Sequence, residues 1–292
     1  MLSLRRFRPL YGVCRRAQIG CFPRFRKLAT LNAVESTYGV SRLEILPGIH
    51  TLPSVKWSRA YLIEGDTLAL VDAGLPWSAR NILKYIRKIG REPEELSHLL
   101  VTHAHPDHIG SASSVAKKTG ARVIAHRADT KRRGNGASLN YMGVFGSLPV
   151  PLPFFERTPV ATLVDEGDVL PIAGGIRVIH TPGHTPGSVC FLEEGTGSLF
   201  SGDTIFSDED RVSRSVPFPG YDAEAYRASL ARLATLDFDA ICGGHGAPLK
   251  SGGAGKLQEL LEARPELPIW RQFFRSIPRR IKKSQSMTGE EI

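Results

Sequence analysis

The sequence predicts an α/β (α+β) fold built from two β–α halves whose sheets face each other, and three observations carry that expectation. Apolar runs of strand length recur from residue 42 onward, bounded by Gly and Pro turns. Stripes of helical period alternate with them, the pattern of helices packed on sheet faces. The succession of strands followed by a helix occurs twice, although no repeat is visible residue by residue.

The first half opens with strands over Arg42 to Leu46, Gly48 to Leu52, Arg59 to Glu64 and Thr67 to Val71, separated by the turns Pro47-Gly48 and Gly65-Asp66. Pro76 then starts a helix whose stripe is Ile82, Leu83, Ile86 and Ile89 and whose stop is Gly90. A strand at His98 to Val101, a helix near Asp107 to Lys118 capped by Gly120, and a strand at Arg122 to Ala125 follow. Residues 134 to 160 hold Gly, Pro and aromatics without period and read as a long loop, a frequent form of active-site lid. The second half places strands at Ile176 to Ile179, Ser188 to Leu192 and Ser198 to Phe200, a helix from Asp222 to Leu236 and a strand at Ala240 to Cys242. Beyond residue 252 come a helical stretch at Leu257 to Ala263, the aromatics Trp270, Phe273 and Phe274, and a basic run from Arg279 to Lys283.

At 292 residues, with 41% hydrophobic and 23% charged side chains, the chain has the composition of a globular protein with a full core. The net charge of +9 is concentrated at the start. Arg5, Arg6, Arg8, Arg15, Arg16, Arg24, Arg26 and Lys27 fall within the first 30 residues without one acid, so the remainder holds 30 basic against 29 acidic residues. This body is nearly neutral, which argues against a nucleic-acid-binding surface. The leader, rich in Arg and dotted with Leu2, Leu4, Phe7, Leu10 and Val13, predicts a mitochondrial presequence, a cytoplasmic protein being the alternative. The expected division is therefore a leader at 1–30, one domain at 31–251 and a helical, basic tail at 252–292. No run of 18 apolar residues predicts a membrane span. Cys190 and Cys242 lie on apolar strand-like segments and read as buried free thiols.

Chemistry concentrates in four segments where predicted strands end in Gly- or Pro-marked loops: Thr102 to Gly110, Pro182 to Gly187, Ser201 to Thr204 and Gly243 to Gly246. They hold five of the nine histidines, His103, His105, His108, His184 and His245, together with Asp107 and Asp203. Residues two apart on an extended chain share a face, so His103 and His105 can bind one cation. Pro106 then turns the chain and aims Asp107 and His108 at another. Imidazole and carboxylate are ordinary zinc ligands, and a catalytic ion takes about three from the protein. His50 and His98 read as satisfied polar residues, and His126 and His180 as these or as partners of ligands.

The order His103-x-His105-x-Asp107-His108, then His184, Asp203 and His245, resembles the signature of the metallo-β-lactamase superfamily over about residues 42 to 250. The resemblance implies a four-layer αββα sandwich and two Zn2+ per chain, with iron or manganese as other possible metals. It assigns His103, His105 and His184 to one ion, Asp107, His108 and His245 to the other, and Asp203 to a bridge. Asp72, in Val71-Asp72-Ala73-Gly74, corresponds to an aspartate that supports the metal loop without binding metal. Two cations about 3.5–4 Å apart share a water, lower its pKa and clamp a carbonyl oxygen. The implied function is hydrolysis of an ester, lactone or thioester in a small-molecule substrate, with Asp107 also orienting the hydroxide and passing on its proton.

Other readings branch from the same motifs. Thr181 to Gly187 and Ser201 to Thr204 resemble hydroxyacylglutathione hydrolase (glyoxalase II), whereas Gly246-Ala247-Pro248 departs from that family after the last histidine. A mononuclear-iron persulfide dioxygenase shares the scaffold, but Ile205 to Ser213 lacks the stretch associated with it. A tRNA-processing type of nuclease would need a basic surface, and a non-catalytic metal scaffold would bind zinc without turnover. Phe145, Phe154, Phe155, Phe206, Phe218 and Tyr221 lie on segments expected to border the site, where they would suit an apolar acyl group. Tyr221 is expected to hydrogen-bond a substrate carbonyl.

Overall fold

The computed structural model describes residues 43–52, 55, 57–134, 136–140, 156–218 and 220–263. The leader, Phe145, Phe154, Phe155 and the aromatic and basic parts of the tail lie outside these residues. The first strands are β1 (Glu44–Leu46), β2 (Ile49–Thr51), β3 (Tyr61–Glu64) and β4 (Leu68–Val71), each antiparallel to the next. Helix α1 (Ala79–Lys88) crosses to β5 (Leu96–Leu100), and α2 (Pro106–Ile109) and α3 (Ala112–Thr119) cross to β6 (Arg122–His126). These crossings make β4, β5 and β6 parallel.

Strands β7 (Thr130–Arg133), β8 (Gly136–Leu139) and β9 (Pro159–Val160) form a small separate sheet, after which β10 (Thr162–Val164) pairs in parallel with β6 and completes a seven-stranded sheet. The expected loop at 134–160 is thus strand at both ends. Its middle, residues 141–155, lies outside the described residues.

Strands β11 (Val169–Leu170), β12 (Ile176–His180), β13 (Val189–Glu193) and β14 (Ser198–Gly202) run antiparallel. The hairpin β15 (Ile205–Asp208) and β16 (Arg211–Arg214) follows, and α4 (Ala223–Leu233) leads to β17 (Ala240–Gly243), which pairs in parallel with β14. Helix α5 (Gly253–Glu262) closes the described chain. Among the described residues no helix is long and apolar enough to cross a membrane.

The layers follow from side-chain alternation. In β4, Leu68 and Leu70 join Ile82, Ile86 and Val115 of α1 and α3, while Ala69 and Val71 join a second cluster that includes Val178, Phe191 and Phe200 of the other sheet. In β13 the same rule sends Val189 and Phe191 between the sheets and Cys190 and Leu192 outward against Tyr226, Leu230 and Leu257. A period-two strand buried on both faces needs cover on both. Three apolar clusters therefore separate four layers in the order helix, sheet, sheet, helix, as expected.

Two helices differ from expectation for local reasons. The single helix expected from Asp107 to Lys118 is broken at Ser111, whose hydroxyl donates to Leu75 O at 2.5 Å and whose amide donates to Gly74 O at 3.1 Å. Bonds to that outside loop replace the bonds a continuous helix would make. Helix α5 begins at Gly253, ahead of the expected Leu257, because the Gly253 amide is docked on Asp239 O at 2.7 Å. That docking has no counterpart in apolar periodicity.

His126, buried at the end of β6, stacks on His180 at the end of β12 with ring centroids 3.9 Å apart. Burial, then the neighbouring His180, pushes the His126 imidazole down to about 4. The unfolded chain would protonate this group near 6.5, whereas the folded chain resists until about 4. Its neutral form thus favours folding at high pH, and that benefit is lost as pH falls through this window. His126→Gln should lose less stability than the parent between pH 6.5 and 4 in urea unfolding, and equal losses would contradict the assignment.

Candidate metal centre

The carboxyl ends of β4, β5, β12, β14 and β17 all feed one rim between the two sheets, and each chemically expected loop follows one of them. Ligand sites of α/β sheets favour such ends, where backbone leaves the ladder and side chains converge. The ends are joined directly: Val189 N donates to Thr102 O at 2.9 Å, and Gly244 N donates to Gly202 O at 2.7 Å. Arg59 clamps the last loop, its amide donating to Gly244 O at 2.7 Å and its Nε to Gly246 O at 2.6 Å.

All seven expected donors meet there in two sets. His103, His105, His184 and Asp203 form one, Asp107, His108 and His245 the other, and within each set the ligand atoms lie within 4.8 Å of one another. His105 Nδ1 lies 3.1 Å from His103 Nε2 and 2.9 Å from His184 Nε2. Asp203 stands between the sets, with Oδ2 3.4 Å from His184 Nε2 and Oδ1 3.1 Å from His108 Nε2. The first set is buried, whereas Asp107 and His245 keep about 27% and 30% of their side-chain surface exposed. The approach from solvent is therefore on their side.

Three of the five rings, His103, His108 and His184, are held from their far side, which fixes what the near side offers. Asp72 Oδ2 lies 2.7 Å from His108 Nδ1, and its two oxygens accept from Thr102 N and Oγ1 at 2.9 and 2.7 Å. Thr102 Oγ1 in turn meets His103 Nδ1 at 3.0 Å. Ser215 Oγ meets His184 Nδ1 at 2.7 Å, and Tyr226 holds Ser215 by accepting from its amide at 2.7 Å while donating to Thr204 O at 2.8 Å. Each remaining Nε2 is left facing the shared space, the arrangement in which an outer hydrogen bond selects the tautomer of a ligand.

Electrostatics separates the sets. Burial lowers the His103 and His105 imidazoles and brings His184 down to about 4, which leaves them neutral at pH 7. Burial also opposes charge on His108, but Asp203, Asp107 and Asp72 outweigh it and raise this ring well above its ordinary range. Burial would raise the Asp203 carboxyl, yet the charge of His108 overrides it and holds the group well below the carboxylate range. The residues fit a cation: His108 Nε2 and Asp203 Oδ1 are both buried without a hydrogen-bond partner, although they face each other at 3.1 Å. Each such group costs about 1–3 kcal/mol if left unsatisfied, and a cation between them would satisfy both. Gly244 is required here, because a Cβ at this position would collide with Asp203 Oδ1 and lie 2.8 Å from the His108 ring.

The sequence model of the metallo-beta-lactamase superfamily matches residues 58–245. The chain belongs to this superfamily. The probable metallo-hydrolase YflN of Bacillus subtilis is 27% identical over 243 residues, covering 75% of this chain and 90% of its own. A hydroxyacylglutathione hydrolase of Rhodobacter capsulatus is 29% identical over 223 residues, covering 70% and 73%. The crystal structure of a metallo-beta-lactamase family protein from Thermus thermophilus superposes with a TM-score of 0.57 over 74% of this chain and 79% of its own, at 24% identity, a likeness of fold. The superfamily chain is thus a metal-dependent hydrolase, and its His/Asp cluster is a divalent-metal site.

Of the aromatics expected to border the site, Phe206 and Phe218 lie there among the described residues. Phe206 packs on His245 and Phe218 on His105, with centroids 5.0 and 5.7 Å apart. Tyr221 packs on Tyr226 with the outer apolar cluster, and its described contacts include no residue of the two metal sets. Tyr226, further along on α4, is tied to the site through Ser215. His180 reaches the His184 loop only through Pro186 O, at 2.9 Å, and His126 bonds Ala128 N, so neither touches a donor of the sets. Cys190 and Cys242 are buried thiols, with Cys190 pushed up to about 11, which removes them as nucleophiles.

Ser215 and Tyr226 were not legible as site residues, because they lie in segments with no metal-ligand spacing. Ser215→Ala is expected to weaken divalent-metal binding about 10–100-fold in chelator competition, the usual cost of losing an outer partner. Unchanged affinity would remove Ser215 from the centre.

Proposed function

We propose that this hydrolase uses two Zn2+, one held by His103, His105 and His184, the other by Asp107, His108 and His245, with Asp203 shared, to cleave an ester, lactone or thioester carbonyl. The observation that supports this most is the position of Asp203 between the sets, with Oδ2 3.4 Å from His184 Nε2 and 3.3 Å from His245 Nε2, and Oδ1 3.1 Å from His108 Nε2. When bound, such a pair supplies a water of lowered pKa and an electrophile for the carbonyl oxygen.

The protein's own groups would do the rest. Asp107 is the partly exposed acid of the site, its Oδ2 3.5 Å from His245 Nε2 and 3.7 Å from His108 Nε2. Ser58 Oγ donates to its backbone carbonyl at 2.5 Å, which fixes the turn that presents it. In this reading Asp107 accepts a hydrogen bond from the attacking water and hands a proton to the leaving group. The half-buried rings of Phe206 and Phe218 flank the two sets and support an apolar acyl group as guest. A thioester substrate is favoured by the likeness to the Rhodobacter hydrolase.

The purified chain should contain about two zinc ions, as a paired-metal centre requires, and should hydrolyse at least one member of a panel of apolar esters, lactones and S-acylglutathiones. Asp203→Ala should lose one ion and all measurable turnover; a metal-replete, fully active variant would reject the scheme. One iron with sulfite production from a persulfide would replace hydrolysis by dioxygenation, and full zinc occupancy without turnover would leave only a scaffold. Phe218→Ala should raise KM for long-chain acyl substrates by about tenfold with little change in kcat, as expected for loss of uniform apolar binding. The same KM change for an acetyl ester would remove Phe218 from acyl recognition.

A further inference from the structure

We infer that Asp129 is a positioning residue that fixes the spacing between the His103–His105 loop and the His184 loop, and so sets the geometry of one cation site. The inference rests on the ligand assignment proposed above.

Asp129 lies at the turn between β6 and β7 and is about 1% exposed. Its Oδ2 accepts from the amide of Ala104, the residue between His103 and His105, at 2.8 Å. The same oxygen accepts from Thr185 Oγ1, next to His184, at 2.8 Å, and Oδ1 accepts from the amide of Gly187 at 2.8 Å. One carboxylate therefore ties both sides of the first set together from beneath. Thr185 is itself fixed, its amide donating to Ser188 Oγ at 3.0 Å.

The fit leaves no slack. A Cβ on Gly187 would lie 2.5 Å from Asp129 N and 2.6 Å from its Oδ1, so only glycine lets this loop settle on the carboxylate. Every partner of the two oxygens is a donor, and only an ionised carboxylate accepts from all of them; an asparagine amide would turn an NH2 toward an N–H or O–H. Asp72 makes the corresponding contact on the other side, where it meets His108 and Thr102. Two buried carboxylates thus stand under the centre, Asp129 under the first set and Asp72 under His108 and, through Thr102, under His103. Unlike Asp72, Asp129 touches no ligand ring, and its influence passes through backbone and the Thr185 hydroxyl.

The experiment impairs one cation site at a time and follows the other. His245→Ala keeps the set of His103, His105, His184 and Asp203, and His184→Ala keeps the set of Asp107, His108 and His245. Both are titrated with Co2+, with chelator competition for affinity and the visible d–d spectrum for geometry. Asp129→Asn should weaken Co2+ binding about 10–100-fold and shift the spectrum in the His245→Ala background. In the His184→Ala background it should change affinity by no more than about twofold, because the hydrogen bonds of Asp129 go to the loops of the first set. Equal losses in both backgrounds would mean a general structural role and would overturn the inference, as would no loss in either. Thr185→Val removes one of the three donors and puts the same question to a milder variant: if Asp129→Asn does not fold, loss in the first background alone supports the inference and any other pattern overturns it. A folded His245→Ala protein that binds no Co2+ would refute the ligand assignment itself, whereas binding that survives both changes would refute the role of Asp129 alone.

Discussion

Five imidazoles and two carboxylates share one rim of this protein, where their inward-facing nitrogen and oxygen atoms crowd against one another. His105 Nδ1 faces two other ring nitrogens, at 3.1 and 2.9 Å, and His108 Nε2 faces Asp203 Oδ1 at 3.1 Å with neither hydrogen-bonded. Burying such groups without partners is costly, and burial also keeps His103, His105 and His184 unprotonated. A divalent cation is the partner that turns this crowding from a penalty into a binding site. The rest of the architecture holds the donors in place against their mutual cost.

The sandwich does so by bringing strand ends from two sheets to the same rim. The loop of residues 102–108 comes from the seven-stranded sheet, and the loops of residues 182–187, 203 and 243–246 come from the five-stranded one. Neither sheet carries a complete set. The apolar cluster between them, with Val71, Leu100, Val189, Phe191 and Phe200, is what fixes the distance from one group of loops to the other. Packing energy in that layer is thereby converted into ligand spacing, since close-packed interiors transmit small displacements.

Around this rim the protein divides its labour by depth. Asp72, Thr102, Ser215 and Tyr226 sit beneath, buried and hydrogen-bonded, and decide which nitrogen His103, His108 and His184 present. Asp107 and His245 stand at the surface side, where Phe206 adds an apolar flank. An inner face satisfied by fixed partners and an outer face left partly open suit a centre that must stay rigid while admitting a substrate.

Much of this was legible in the sequence because its signals are local. Period-two strands, the helical stripe of Ile82, Leu83 and Ile86, and the metal-ligand spacing from His103 to His108 need only neighbouring residues to be recognised. The helix expected from Asp222 starts there because the Asp222 side chain accepts from the amides of Glu224 and Ala225 at 3.0 Å. What lay beyond reach depends on residues far apart in the chain. Ser111 breaks a helix because Gly74 and Leu75 meet it, Ser215 serves His184 from 31 positions away, and Asp129 bonds Thr185 from 56. Tyr221 is the tyrosine expected at the site, and packing puts Tyr226 beneath it instead. Sequence alone thus determined which atoms can bind metal, a matter of side-chain chemistry and short spacing; the tertiary structure decided which of them share a cation and what holds them, because those relations exist only once two sheets are packed face to face.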